Sequence, residues 1–145
     1  YQDVVAEVLT FLAGRVSAVR ERGIGAERIT LDPGYGFGKT LEHNLTLFQQ
    51  QARLLVLGHP LLVGWSRNGT LGQVTGRPAG ERLVASVAAA LAAIQLGARI
   101  VRVHDVAATA DAVKVWLAAG LGQARATRAG VADRRTMDNN TGEGA

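Results

Sequence analysis

Cysteine is absent from the sequence, which excludes disulfides and any thiolate-held metal. Aromatics are scarce at 5%, so Ala, Val and Leu must fill the interior, a composition that suits helices packed closely on a sheet. Long apolar runs are lacking too: the longest, Leu83 to Ile94, contains Ser86 and falls short of the roughly 20 residues a membrane helix needs. No secretory signal is read at the start, because Tyr1-Gln-Asp-Val-Val already has the pattern of a helix beginning. A soluble, cytoplasmic protein with no membrane partner is expected.

Positive charge is in excess, with a formal net charge of +4. Arg125, Arg128, Arg134 and Arg135 crowd the last quarter as in a solvated tail, and neither aromatic interleaving nor a recognition motif accompanies them. Nucleic acid is therefore not an expected partner; a small anionic substrate accounts better for the basic loop residues. Glycine is plentiful, 18 residues against a usual share of roughly 7%, and falls mainly in loops. The 145 residues suffice for one globular domain.

Helix-spaced Val5, Val8, Leu12, Val16 and Val19 predict a first helix, with Glu7 near its start, Arg20 and Arg22 near its end and Gly23 as its cap. Ile29 to Leu31 reads as a brief strand running into Asp32-Pro-Gly-Tyr-Gly-Phe-Gly-Lys39, a strand-to-helix loop of the kind that carries sites in α/β proteins. Thr40 can cap a second helix whose apolar face runs Leu41, Leu45, Phe48, Ala52 and Leu55. Pro60 to Ser66 reads as a second strand buried on both faces, and Arg67 to Gly80 as a second Gly-rich loop with a helical turn in it. The Ala-rich helix from about Glu81 to Leu96 is apolar nearly all round and should be covered on more than one side. Gly97 ends it. Ala98 to His104 is the third strand, followed by a fourth helix with Val113, Trp116 and Leu117 inward. A helix followed by three β-α units argues for an α/β fold with parallel strands. Residues 121–145 lose apolar periodicity and read as a flexible tail, with a disordered composition from Met137 onward.

Three motifs stand at the three strand ends: Leu31-Asp-Pro-Gly-Tyr-Gly-Phe-Gly-Lys-Thr40 with His43-Asn44 after it, Gly64-Trp-Ser-Arg67, and Arg102-Val-His-Asp-Val106. Together they resemble dihydropteroate synthase, a folate-pathway transferase and sulfonamide target built on a (β/α)8 TIM barrel. The resemblance implies that residues 1–120 are the carboxyl-terminal part of a pterin-binding barrel. It also implies a reaction in which a dihydropterin diphosphate loses pyrophosphate and its methylene carbon is captured by p-aminobenzoate. Magnesium is implied as cofactor, with its ligand outside this chain, and so is a homodimer packed through the last helices, where Trp116 and Leu117 contribute.

By match to those motifs, Asp32 would accept hydrogen bonds from the pterin, and Gly36 would let the backbone come close. Phe37 would pack beside the aminobenzoate ring, and Lys39 belongs to the same substrate-binding loop. Ser66 and Arg67 would shape the pterin and aminobenzoate end, Arg102 would lie over the pterin face and help with the pyrophosphate, and His104 would donate to it. Asp105 reads as a cap for the last helix.

Two positions depart from the family pattern, which has Lys and then Ser after Ser-Arg. Asn68 can still meet a pterin carbonyl but brings no charge, and Gly69 removes a hydroxyl that backbone N–H groups and Thr70 would replace only in part. Losing a charge-assisted bond of roughly 1.5–3 kcal/mol would cost about one to two decades of transition-state binding. A complete barrel takes about 250 residues, so the isolated chain is expected to be inactive. The rival expectations are a catalytically silent pterin- or anion-binding homologue, a complementing half-barrel subunit, and a methyltetrahydrofolate-dependent methyltransferase on a related barrel.

Overall fold

Asp3 starts the first helix as expected of a short carboxylate before an apolar-periodic run. Its Oδ1 accepts from the Val5 and Ala6 backbone N–H groups at 3.1 and 3.0 Å, while Glu7 Oε1 accepts from those of Gln2 and Asp3. In the computed structural model, which describes residues 1–123, helix α1 spans Val4–Arg20 and buries Val4, Val5, Val8 and Leu12. A 3-10 turn at Ala26–Arg28 then takes up residues that precede the expected first strand. That strand shrinks to one parallel bridge, Leu31 to Leu61, held by Leu31 N–H to Pro60 O (2.9 Å) and Leu62 N–H to Leu31 O (2.8 Å). The turn reaches as far as Ile29, whose N–H closes it on Ala26 O (3.2 Å), and the loop begins at Asp32, so only Thr30 and Leu31 lie between and Leu31 alone pairs.

Strand β1, Leu61–Val63, pairs in parallel with β2, Ala98–Val101, with a register shift between Leu61 and Leu62. The bridge at Leu31 lies on one side of β1 and β2 on the other, so sheet neighbours follow chain order. Leu61 and Val63 are buried and Leu62 partly so, in keeping with the uninterrupted apolar run. The third strand stops short of His104, although the Arg102 N–H still reaches Val63 O at 2.9 Å.

Thr40 caps α2, Leu41–Gln49, in a reciprocal box with His43. The expected apolar face is displaced. The chain tightens at Gln50 into a 3-10 segment, Gln51–Leu57, and the most buried stripe is Asn44, Leu47, Gln51 and Leu54, with Phe48 and Leu55 only partly buried beside it. Gln51 is fully buried because its amide is satisfied. Nε2 donates to Ala93 O (3.0 Å) and Leu96 O (3.3 Å), and Oε1 accepts from the Tyr35 hydroxyl (3.2 Å). It thereby supplies partners for carbonyls at the end of helix α4, Leu83–Gln95.

Between β1 and α4 lie the short helix α3, Gly69–Thr75, and a 3-10 turn, Ala79–Glu81. Among the described residues, helix α4 buries Ser86, Ala89, Ala90 and Ala93 and leaves Val84 80% exposed, so one side of it is covered. Helix α5, Val106–Ala118, follows β2, and there Leu117 faces outward at 53% exposure, against expectation, while Trp116 is half-buried. Leu121–Gln123 forms a 3-10 turn; the rest of the expected flexible tail lies outside the described residues. Among the described residues no helix is long and apolar enough to cross a membrane.

Candidate functional site

The first sheet-end loop is built almost entirely from its own sequence neighbourhood. Asp32 Oδ1 accepts from the Gly34 N–H at 2.8 Å, an Asx turn, and leaves Oδ2 facing the Arg102 guanidinium at 3.4 Å. Asn44, buried on α2, holds the loop's crest: its Oδ1 accepts from Gly36 N–H (2.9 Å) and its Nδ2 donates to Thr40 O (2.9 Å). Tyr35 turns inward onto Phe48 and Trp65, with ring centroids 5.7 and 4.5 Å away. Burial, helped by the Asp32 carboxylate, pushes its phenol well above the ordinary 10.0. Lys39 folds back over the loop, donating to Gly34 O (2.9 Å) and Phe37 O (3.3 Å). Burial lowers its pKa, and the Asp32 carboxylate opposes that shift. Phe37, by contrast, is 72% exposed and is therefore no core aromatic.

The second loop, after β1, is held from a distance. Arg67 is the one non-glycine residue with positive φ (57°) among those described, a conformation that costs energy and persists only where its surroundings hold it. Here they do. Its N–H donates to the buried Ser86 Oγ (2.9 Å), its carbonyl accepts from Arg82 (3.2 Å), and its guanidinium pairs with Asp105 (2.9 Å). Arg82 also reaches Asn68 O and Arg77 O, crossing α3 at Gly72, where a Cβ would stand on the guanidinium. Asn68 caps α3 through Oδ1 to Thr70 N–H (2.8 Å) and points Nδ2 at Tyr35 O (3.4 Å), tying the second loop to the first. Gly36 is obligatory at that junction: its φ is +84°, and a Cβ would come within 2.6 Å of Asn68 Nδ2.

The third loop, after β2, presents Arg102 and His104. Ser66 Oγ accepts from the His104 backbone N–H (3.1 Å) and lies 2.9 Å from its Nδ1. Asp105, expected as a side-chain cap, makes no cap hydrogen bond to α5; its carboxylate is taken by Arg67 instead.

Gly36, Phe37, Ser66, Asn68, Arg102 and His104 converge on one cavity of about 330 Å³, joined there by Tyr35, Gly64, Gly69 and Val103. Gly64 makes room for Arg102, whose Nη2 a Cβ would approach to 2.8 Å. Asp32, Phe37 and Lys39 line a second cavity of about 390 Å³ against α1, so Phe37 stands between the two. Arg67 is held by Asp105 and lines neither. Arg102 is the one cation among the described residues in the first cavity, which suits an anion beside an aromatic or amide-edged group. Sequence reasoning missed Asn44 as the crest's anchor, Ser86 and Arg82 as holders of Arg67, and Gln51 behind Tyr35. Only Asn44 carried a signal, its place beside His43 in the first motif; the others lie in other segments.

The family described as "Pterin binding enzyme" matches residues 1–104. Among curated proteins, the dihydropteroate synthase of Neisseria meningitidis serogroup C is 54% identical over 123 residues, 83% of this chain and 44% of that protein. That of Escherichia coli K12 is 43% identical over 115 residues, 79% of this chain and 41% of that protein. Among solved structures, dihydropteroate synthase from Stenotrophomonas maltophilia with active-site-bound imidazole superimposes at TM-score 0.82 with 54% identity, covering 83% of this chain and 46% of that one. The Xanthomonas albilineans enzyme in complex with 7,8-dihydropteroate gives 0.81 at 49% identity, covering 83% and 46%. The chain thus spans less than half the length of these relatives. With the family match running through all three sheet-end loops as far as His104, this chain belongs to the pterin-binding enzyme family.

Proposed function

We propose that this chain supplies one wall of a dihydropteroate synthase site: the side that grips the pterin, the aminobenzoate ring and the leaving pyrophosphate. The supporting observation is the convergence of Phe37, Asn68, Arg102 and His104, from three successive sheet-end loops, on one cavity, with Asp32 in the second cavity paired to Arg102 at 3.4 Å. Asp32 Oδ2, which faces Arg102 at 3.4 Å, is the carboxylate oxygen left to accept from a pterin's N–H donors. Arg102 and His104 provide cationic and N–H contacts for the diphosphate as negative charge builds on it, and Phe37 offers an exposed face to the aryl amine. Relatives carry the same ligands: the Xanthomonas albilineans enzyme has structures with 7,8-dihydropteroate and with 4-aminobenzoic acid.

The same reading makes residues 1–120 part of a (β/α)8 barrel, since sheet neighbours follow chain order, and places the protein in the cytoplasm. A homodimer through the last helices belongs to it, supported by the outward Val115 and Leu117 on α5. Among the described residues no group of three or more His, Cys, Asp or Glu side chains converges to hold a metal. The magnesium that this reading implies would take its ligand from outside this chain.

Titration of the 145-residue chain with a dihydropterin and with pyrophosphate tests the assignment. Both should bind. Asp32→Asn should weaken the pterin by about tenfold and spare pyrophosphate, and Arg102→Ala should weaken pyrophosphate by a similar factor. Absence of pterin binding rejects the function. No turnover is expected from this chain alone; dihydropteroate formation by it would overturn the division of the site into two walls. A silent, binding-only homologue is the second reading, favoured by Asn68, whose amide is engaged by Thr70 and Tyr35, and by Gly69, which offers no side chain.

A further inference from the structure

Where the backbone pairing of β1 and β2 ends, side chains continue it. Arg102 N–H to Val63 O is the last main-chain rung; then come Ser66 with His104 and Arg67 with Asp105, two successive residues facing two successive residues. We propose that Ser66, backed by the Arg67–Asp105 pair, is a positioning residue that fixes His104 with a proton on Nε2, aimed at the cavity. This rests on the proposed function only in what it offers that proton to, the leaving pyrophosphate.

Only the Nε2–H tautomer gives the Ser66 hydroxyl hydrogen an acceptor among the described residues. A serine hydroxyl has one hydrogen and two acceptor sites. Ser66 Oγ spends one acceptor site on the His104 backbone N–H at 3.1 Å, and no other acceptor for its hydrogen lies in the described residues. Donating that hydrogen to Nδ1 at 2.9 Å satisfies both groups and leaves the neutral ring's own proton on Nε2. When the ring is protonated, Nδ1–H donates to Ser66 and Nε2 keeps its proton. In either charge state Nε2, which has no partner among the described residues, is a donor, never a lone pair facing an anion. The second rung keeps this geometry, because Arg67 Nε and Nη2 hold both oxygens of Asp105, the residue after His104, at 3.4 and 2.9 Å. Arg67 itself is pinned at φ 57° by Ser86 and Arg82.

Ring-nitrogen NMR of His104 in the 145-residue chain, at a pH where the imidazole is neutral, reads the tautomer directly. The wild type should show Nε2–H alone. Ser66→Ala should admit the Nδ1–H form and weaken pyrophosphate about fivefold, Ser66→Thr should restore both, and Asp105→Asn should fall between. An Nδ1–H ring in the wild type, or an unchanged ring in Ser66→Ala, overturns the inference. Should Ser66→Ala not fold, the wild-type and Ser66→Thr spectra still decide it. Failure of the wild type to bind pyrophosphate, with the Nε2–H result intact, would instead remove the proposed function and leave the positioning role standing.

Discussion

The two loops that flank the cavity reach a fixed shape by opposite routes. The first, Asp32 to Lys39, has its backbone held mainly by residues two to eight positions away, Asp32, Lys39 and Asn44, with longer reaches only from Tyr35 to Gln51 and Asn68 and from Asp32 to Arg102. The second, Ser66 to Asn68, is held by Arg82, Ser86, His104 and Asp105, at separations of 14 to 38. A loop made from local contacts forms as soon as its helix does; one made from distant contacts forms only when α4 and β2 have docked. The first therefore tolerates a marginal fold and the second does not.

Gly36→Ala is the substitution that breaks both loops at once. It forces a side chain into φ +84° and against the Asn68 amide, so stability should fall by roughly 2–4 kcal/mol in denaturant unfolding, with loss of pterin binding. Asn44→Ala tests the first loop alone. It strips a buried anchor from Gly36 N–H and should cost about 2 kcal/mol, while leaving Arg67 hydrogen exchange unchanged. Ser86→Ala tests the second, with a cost of about 1.5 kcal/mol and faster exchange at Arg67 N–H, the first loop staying protected. Equal loosening of both loops in either variant would dissolve the distinction.

Tyr35→Phe should have the smallest effect at neutral pH, about 1 kcal/mol, because the bond it removes to Gln51 is long. Its signature is in alkali. A phenol whose folded-state value is raised contributes stability that is complete below its unfolded value near 10.0 and is lost as pH rises above it. The wild type should lose stability progressively above pH 10, and the variant should lose less, as measured by unfolding at pH 8 and pH 11.

The same contrast explains what was legible in the sequence. The glycine-rich first loop, its Thr40 cap and the order of elements were readable because their causes lie within a few residues. The stripe of α2 was misread because Asn44 and Gln51, polar in sequence, occupy core positions that hydrogen bonds make affordable. Asp105 was read as a cap because the local pattern favours one, and Arg67, its actual partner, is 38 positions distant. The cover expected around α4 was inferred from its own composition, whereas burial depends on neighbours, and Val84 has none among the described residues that covers it.

Trp65 adds one practical property. Its ring is 2% exposed, stacked 4.5 Å from Tyr35 and 4.6 Å from Phe48, with an indole N–H that has no acceptor among the described residues, and its backbone links Gly64 to Ser66 at the cavity wall. The other tryptophan, Trp116, is half-buried on α5, away from these loops. The protein thus carries a built-in optical gauge with its own reference channel. Emission from the buried Trp65 should lie to the blue and follow the packing of the first two loops against each other, while that from the half-buried Trp116 should lie to the red and follow α5.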